Sequence, residues 1–215
     1  PTVPRVHGGE LIDTWTGWTT PGAGRQPRAS WPEPAVLETA RLRLRPWRAG
    51  DSRVLVEASA DMQLRHFIPH SPLPRDVGAV PAYLDRIRLA EANGDRLAWC
   101  VADRESDAAL GNVALFEFDG SPDELTAQVG YWAHPAARGR GVMAEAVRRV
   151  ADWCLDPEPA GLGARRLYLL TAASNRASRR VAEACGFEHV GTERLGGPVG
   201  NGYEDSALYD RLREA

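Results

Sequence analysis

The chain contains no lysine, so arginine supplies all 26 of its basic side chains. We interpret this as a compositional bias of the genome and not as a feature of the mechanism. The formal net charge is −3, which argues against general affinity for nucleic acid, because nucleic-acid-binding domains carry an excess of positive charge. The chain also lacks an apolar run that approaches the length of a membrane span. It shows no charged n-region followed by an apolar h-region, the pair that marks a secretion signal. We therefore expect neither nucleic acid nor a membrane as a partner.

Cysteine is scarce as well. Cys100, Cys154 and Cys185 are widely spaced, and each lies among apolar residues. A free cysteine in such a setting behaves as a small buried hydrophobic residue. The spacing therefore favours buried thiols over a disulfide framework or a metal site. We predict no bound metal and a cytoplasmic location.

Residues 1–35 differ in composition from the rest of the chain. They are rich in Pro, Gly, Thr and Trp and show no sustained periodicity. Trp15, Trp18 and Trp31 are unusual for a disordered tail, because disordered segments are poor in aromatic residues. We interpret residues 1–35 as an extension that packs its tryptophans on the domain or on a second subunit, which makes a homodimer one hypothesis. A substrate lid is the alternative.

Residues 36–215 alternate between strand and helix patterns. The periodicity predicts strands over 39–47, 97–103, 110–118, 127–133, 166–171, 190–195 and 206–209, and helices over 51–59, 61–64, 77–93, 142–155 and 174–184. An irregular loop is predicted over 66–72, and a glycine-rich loop joins the last two strands. This order indicates one α/β or α+β domain with a mixed sheet.

The segment 130–143 is the most informative part of the sequence. An apolar strand runs into Pro135, a short Arg/Gly turn follows, and an amphipathic helix begins at once. Gly139 and Gly141 allow the backbone to curl, and the helix start adds unpaired N–H donors and a positive dipole end. Arg138 and Arg140 add fixed positive charge. The segment predicts a phosphate site, and an ordinary tight turn with exposed arginines is the alternative.

Five segments, 38–47, 129–135, 138–141, 175–187 and 202–205 with Tyr209, resemble the GNAT (GCN5-related N-acetyltransferase) superfamily, and within it the RimJ/RimL-like branch. The resemblance implies a GNAT fold with a mixed, mostly antiparallel sheet of six to seven strands flanked by helices. It also implies an acyl-CoA-dependent N-acyltransferase, in the first instance an N-acetyltransferase. The co-substrate would be acetyl-CoA or another acyl-CoA, and the acceptor a small-molecule amine or a protein N-terminus.

The resemblance places the diphosphate of coenzyme A on the N–H groups of residues 138–144. The pantetheine arm would lie beside the strand 129–134, which splays from its neighbour. The implied coenzyme-binding residues are Trp132, Ala133, His134, Arg138, Gly139, Arg140, Gly141, Val142, Met143, Ala144, Asn175 and Ser178. Met143 departs from the small residue that the family carries at this point, which bears on how closely the backbone there can approach a ligand.

Asn175 and Ser178 are three residues apart at a predicted helix start, so they share one face. By the resemblance, Asn175 contacts the pantetheine arm or the acceptor, and Ser178 donates a proton to the leaving thiolate. Asn175 or Ser174 is also a good N-cap. Backbone N–H groups near residues 132–134 would polarise the acyl carbonyl.

The general base is an open question in the sequence. Relatives carry a glutamate where this chain has Gln128, and glutamine cannot accept the proton of an amine. Glu117 is the preferred carboxylate, because it lies near the strand end that faces the cleft. The other candidates are Asp119, His134, His66 and His70, and a base acting through water or a neutral amine is a further route.

Two other functions stay open. The first is an acyltransferase whose donor is succinyl-CoA or a carrier-protein thioester. The second is a non-catalytic module that binds acyl-CoA. The loops over 66–75 and 196–204 are expected to shape the acceptor site, with His66, Phe67, His70 and Tyr203 as a mixed aromatic and polar lining.

Overall fold

Ten strands are present in the residues that the computed structural model describes, which are 5–7, 10–12, 35–120, 124–157 and 159–214. Strands β1 (Arg5–His7) and β2 (Glu10–Ile12) form an antiparallel pair. The other eight are β3 (Leu37–Glu38), β4 (Leu42–Arg45), β5 (Arg96–Asp103), β6 (Ala109–Asp119), β7 (Thr126–Ala133), β8 (Arg166–Ala172), β9 (Glu188–Val199) and β10 (Gly202–Leu212). They form one sheet in the order β3-β4-β5-β6-β7-β8-β10-β9.

The predicted mixed, mostly antiparallel sheet is confirmed, since only β7 and β8 pair in parallel. The predicted number of six to seven strands is wrong, because this sheet has eight. The additional strand is β3, in which Leu37 pairs with Leu44 of β4. The predicted strand 39–47 is correspondingly shorter, because residues 39–41 form the connection that turns the chain from β3 into β4.

Five helices cover the two faces of the sheet in the described part of the chain: α1 (Ser52–Ala60), α2 (Met62–Phe67), α3 (Val80–Ala92), α4 (Val142–Leu155) and α5 (Arg176–Ala184). Helix α4 buries the predicted apolar face, consisting of Met143, Ala146, Val147, Val150 and Cys154, in the core on one side. Helices α1 to α3 pack on the other side. The middle strands are therefore covered on both faces.

Two predicted loops differ from the structure. His66 and Phe67 belong to the last turn of α2. The loop predicted over 196–204 is largely strand, because β9 and β10 continue toward each other and pair as far as Gly202 and Val199. The N–H of Gly200 donates to the carbonyl of His66 over 2.7 Å, so the end of this hairpin is attached to α2.

The parallel pairing of β7 with β8 is short. It covers Thr126 to Gln128 of β7 and Arg166 to Tyr168 of β8. Beyond this point β7 stays paired with β6 as far as Ala133, and β8 stays paired with β10 as far as Ala172. The predicted splay is therefore present, and it opens a gap in the middle of the sheet.

Candidate active site

A cavity of about 1280 Å³ extends along this gap. The turn before α4 and the start of α5 line one part of it, and the end of α2 and the β9–β10 hairpin line another. Sites for one small ligand commonly have a few hundred to a thousand cubic ångströms. The cavity therefore has room for two substrates at once.

The edge of β7 that faces the gap carries unpaired backbone groups. The N–H of His134 donates to the carbonyl of Leu110 over 2.8 Å. Along an antiparallel pair, the backbone N–H and C=O groups of successive residues point alternately to one neighbour and to the other. The backbone groups of Trp132 therefore also point to β6, whereas those of Tyr131 and Ala133 point to the gap. Of the N–H donors predicted over 132–134, only that of Ala133 faces the gap. The N–H groups of Trp132 and His134 point to β6, which corrects the prediction for these two residues.

The turn before α4 has the backbone that its glycines predict. Gly139 and Gly141 have φ angles of +72° and +73°, in the left-handed region. A Cβ at Gly139 would meet nothing within 4 Å, so the turn is open and glycine is required there by the backbone angle alone. Within the described residues, the N–H groups of residues 139–144 donate to no protein acceptor. Such a group of free donors at a helix start is suited to an anion.

The positive charge of Arg138 is not available to an anion at this turn, because its guanidinium contacts other protein groups. Its Nη1 lies 3.3 Å from Oδ2 of Asp61 and 3.0 Å from Oε1 of Gln63, and its Nη2 lies 3.3 Å from the carbonyl of Ala133. The guanidinium therefore connects the turn to the start of α2. Arg140 is exposed, and it remains the cationic side chain at the turn without an ion pair among the described residues.

Met143 is compatible with an open turn. Its side chain is 8% exposed and belongs to the core between α4 and the sheet. A Cβ at Gly111 would lie 3.0 Å from the Met143 methyl carbon and 2.4 Å from the carbonyl oxygen of Trp132. The methionine thus occupies space above a strand residue that has no side chain, and it does not fill the turn.

The start of α5 brings Asn175 and Ser178 together as predicted. Oδ1 of Asn175 accepts the N–H of Ser178 over 3.1 Å and caps the helix. Across the gap, the hydroxyl of Tyr131 donates to the carbonyl of Ser178 over 3.0 Å and lies 3.1 Å from its Oγ. Burial raises the pKa of Tyr131 above its usual range, so the phenol is protonated at neutral pH. Tyr131 was not among the site residues predicted from the sequence, although its place in β7 could have indicated it.

Glu117 lies at an irregularity of β6, where the pairing with β7 shifts between Phe116 and Asp119. Its φ angle is +51°, which costs a residue with a Cβ about 1–2 kcal/mol. Bulges of this kind often redirect a side chain next to an active site. The Glu117 carboxylate lines the cavity and accepts a hydrogen bond of 2.9 Å from the hydroxyl of Tyr168. Burial and the charge of Glu117 raise the pKa of Tyr168, a residue that was not predicted from the sequence.

The other base candidates are placed differently. His134 lies with its Nε2 3.0 Å from a carboxylate oxygen of Glu57. His66 packs on the β9–β10 turn and is not among the cavity-lining residues, and Asp119 is exposed and also outside that lining. His70 does line the cavity. Glu117 is thus the carboxylate, among those named in advance, that the fold brings to the cavity.

The three cysteines are buried and free, as predicted. Burial raises the pKa of Cys100 and Cys154 to about 12 and that of Cys185 to about 11. Among the described residues, no three His, Cys, Asp or Glu side chains are grouped as they would be around a metal ion. No helix of the described chain has the length and apolar character needed to cross a membrane.

The sequence matches a known protein family and a curated protein. A family model for the acetyltransferase (GNAT) domain matches residues 41–188. The probable N-acetyltransferase YjcK of Bacillus subtilis is 32% identical over 99 residues, which are 46% of this chain and 52% of that protein. The chain thus matches only about half the length of this curated relative.

Solved structures show the same fold. Mycobacterium smegmatis RimJ in complex with CoA-disulfide superposes with a TM-score of 0.72 at 19% identity, over 83% of this chain and 88% of that one. A GCN5-related N-acetyltransferase from Brucella melitensis superposes with a TM-score of 0.68 at 25% identity, over 85% and 80%. By its match to the family model, its fold and the features of its central cavity, this chain belongs to the GNAT family of acetyltransferases, enzymes that transfer an acyl group from coenzyme A.

Proposed function

We propose that the protein moves an acyl group, in the first instance acetyl, from coenzyme A to a primary amine by direct attack of the amine on the thioester. One observation carries this proposal. The free edge of β7, Gly139 and residues 141–144 line a single cavity. A diphosphate needs several donors that are already in place, and the amides of a pantetheine arm can pair with a free strand edge.

The coenzyme would be held by backbone groups for the most part. The N–H groups of residues 139–144 would bind the diphosphate, with Arg140 close by. The free N–H of Tyr131 and the C=O groups of Tyr131 and Ala133 would pair with the pantetheine arm, which leaves the N–H of Ala133 to stabilise charge on the acyl oxygen. That RimJ of M. smegmatis has been solved with CoA-disulfide supports this use of the fold. We propose residues 36–215 as the catalytic domain and residues 1–35 as an extension of it.

The chemistry would use two proton transfers. A bond forms between the amine nitrogen and the acyl carbon, and the bond from that carbon to sulfur breaks. The amine loses its proton to Glu117, whose carboxylate is held by the hydroxyl of Tyr168. The leaving thiolate receives the hydroxyl proton of Ser178, and Asn175 fixes the turn of helix that carries Ser178.

The acceptor would be a small-molecule amine or a protein N-terminus. Phe67, His70 and Tyr203 line the part of the cavity between α2 and the β9–β10 hairpin, a mixed surface that can hold the group bearing the amine. The likeness in fold to RimJ supports the RimJ/RimL-like branch, and the likeness to a ribosomal-protein-S5-alanine acetyltransferase from Vibrio fischeri supports a protein acceptor. We propose a cytoplasmic enzyme that acts on such amines.

A second donor is favoured by one observation. Because Arg138 is bound to Asp61, this turn offers less free positive charge to the diphosphate of coenzyme A than its sequence predicts. An acyl chain on the phosphopantetheine of a carrier protein, which lacks the adenosine diphosphate, is therefore the alternative donor.

The test begins with calorimetric titration of the purified protein with acetyl-CoA, succinyl-CoA and S-acetyl-phosphopantetheine. We expect acetyl-CoA to bind most tightly, and a folded protein that binds none of the three would refute the proposal. Thiol release is then followed with peptides whose N-termini are free or blocked and with a panel of small amines. Tight binding of the donor without turnover of any amine would instead indicate a non-catalytic binding module.

A further inference from the structure

Tyr131 extends from β7 to α5, the two elements on either side of the gap. Its hydroxyl lies 3.0 Å from the carbonyl oxygen of Ser178 and 3.1 Å from the Ser178 Oγ. Both partners thus belong to one residue, the residue whose hydroxyl faces the proposed site of the thioester. The ring of Tyr131 is half-buried and packs against the core below α4 and α5.

The single proton of the phenol allows two arrangements. When it is donated to the Ser178 carbonyl, the phenol oxygen accepts the serine proton, and the serine hydroxyl points away from the cavity. When it is donated to Oγ, the serine proton is free to point into the cavity. A hydroxyl proton rotates freely between such partners, so the choice between the two depends on what lies next to Ser178.

We propose that Tyr131 is a positioning residue for acyl transfer that acts through Ser178: its hydroxyl orients the serine and supplies a proton to Oγ as Oγ gives its own to the leaving sulfur. The inference rests on the proposed function. The bonds balance, since the serine proton ends on the thiol and the phenol proton ends on the serine. The phenolate then regains a proton from water.

The chemistry of the two hydroxyls gives a reason for this arrangement. A serine hydroxyl is a much weaker acid than the thiol it would have to protonate, so it needs a donor that stabilises its oxygen during the transfer. A free phenol is a stronger acid than an alcohol, but burial reduces this difference for Tyr131, so its main part is to hydrogen-bond Oγ while negative charge develops there. Burial keeps Tyr131 in the protonated form that such a donor requires.

The experiment is a double-mutant cycle with Tyr131→Phe, Ser178→Ala and the pair. Tyr131→Phe is expected to lower kcat about tenfold or more, with the KM for acetyl-CoA and the thermal midpoint nearly unchanged. Because Tyr131 acts through Ser178, the double variant is expected to be no slower than Ser178→Ala alone. Tyr209→Phe is the matched control: its hydroxyl donates to Glu183 and accepts from Arg179, both of α5, and Tyr209 does not line the cavity, so kcat should not change.

Two results would overturn the inference while the proposed function stands. One is a Tyr131→Phe enzyme with normal kcat. The other is a double variant whose loss is the product of the two single losses. If the Phe variant does not fold, Tyr131→Met removes the same hydroxyl and is measured in the same way. A wild-type protein that binds acetyl-CoA but acylates no amine would refute the proposed function itself.

Discussion

Arg138 holds the carboxylate of Asp61, a residue 77 positions earlier in the chain. The second oxygen of this carboxylate accepts the N–H of Leu64 over 2.8 Å and caps α2. One side chain therefore joins the turn before α4 to the helix that borders the other part of the cavity. The position of α2 relative to the turn depends on this contact.

The Asp61–Arg138 pair should make stability depend on pH. Burial works to raise the pKa of Asp61, but Arg138 and the N–H of Leu64 outweigh it and lower that pKa. A carboxylate of lowered pKa stabilises the fold above its unfolded pKa of about 4, and the contribution is lost as the pH falls through the folded pKa. We expect Asp61→Asn, which keeps a capping side chain, to lower the free energy of unfolding by about 1 kcal/mol at pH 7.

Urea unfolding at pH 7 and near pH 3 measures this effect. The difference between wild type and Asp61→Asn should shrink at the lower pH. Asp61→Ala removes the cap as well, so it should lose about 1 kcal/mol more at both pH values. An Asn variant with the same deficit at both pH values would show that the ion pair does not contribute.

Gly139 is expected to contribute to the affinity for acetyl-CoA as well as to the stability of the fold. An alanine there meets no atom but must adopt a φ angle of +72°, which strains the turn by about 1 kcal/mol. Gly94, which ends α3 at φ +75°, is the matched control far from the turn. Both alanine variants should lose similar stability, whereas only Gly139→Ala should weaken acetyl-CoA binding, about tenfold. Calorimetry and thermal unfolding separate the two effects, and equal affinities would contradict the role of the turn.

Glu117 is expected to govern the rate. Glu117→Gln removes the proton acceptor with little change in shape, so kcat should fall by about 10²- to 10⁴-fold while the KM for acetyl-CoA stays nearly constant. Tyr168→Phe should cause a smaller loss, because it leaves the carboxylate in place but less well held. Asp119→Asn, on the exposed side of the bulge, is the comparison. Should the Asp119 variant lose activity and the Glu117 variant keep it, the assignment of the base is wrong.

Met143 is expected to affect stability more than coenzyme binding. Met143→Ala leaves a cavity above Gly111 and should lower the free energy of unfolding by about 2–4 kcal/mol. Because the side chain is directed into the core, the Kd for acetyl-CoA should stay within about threefold. Chemical denaturation and calorimetry on the same preparation test both parts. A Kd changed by tenfold or more would mean that the methionine shapes the turn after all.

The cysteines are expected to be unreactive in the folded protein. Burial raises the pKa of Cys185 to about 11 and that of Cys100 and Cys154 to about 12, so little thiolate exists at pH 8. Labelling by a disulfide reagent should be more than about a hundredfold slower than for a free thiol. All three should react once the protein is unfolded in urea. Rapid labelling of a single cysteine in the native state would contradict the burial of that residue.

Local patterns in the sequence were sufficient for much of the fold. The apolar repeat over 142–155 coincides with α4 at both ends, because burying one face of a helix requires that spacing. Asn175 caps α5, and Gly139 and Gly141 adopt left-handed angles. These features depend on a few neighbouring residues. The end of α2 and the length of the last hairpin were mistaken, because contacts between the two hold them in place.

The sequence by itself therefore determined the family, the order of most strands and helices, the open glycine turn and the two residues at the start of α5. Only the tertiary structure decided which side chains meet in the cavity. Tyr131 meets Ser178, Tyr168 meets Glu117 and Asp61 meets Arg138 across 47, 51 and 77 positions of the chain. Helical and strand periodicities report which face of an element is apolar, but the distance between two elements depends on how all their faces pack together.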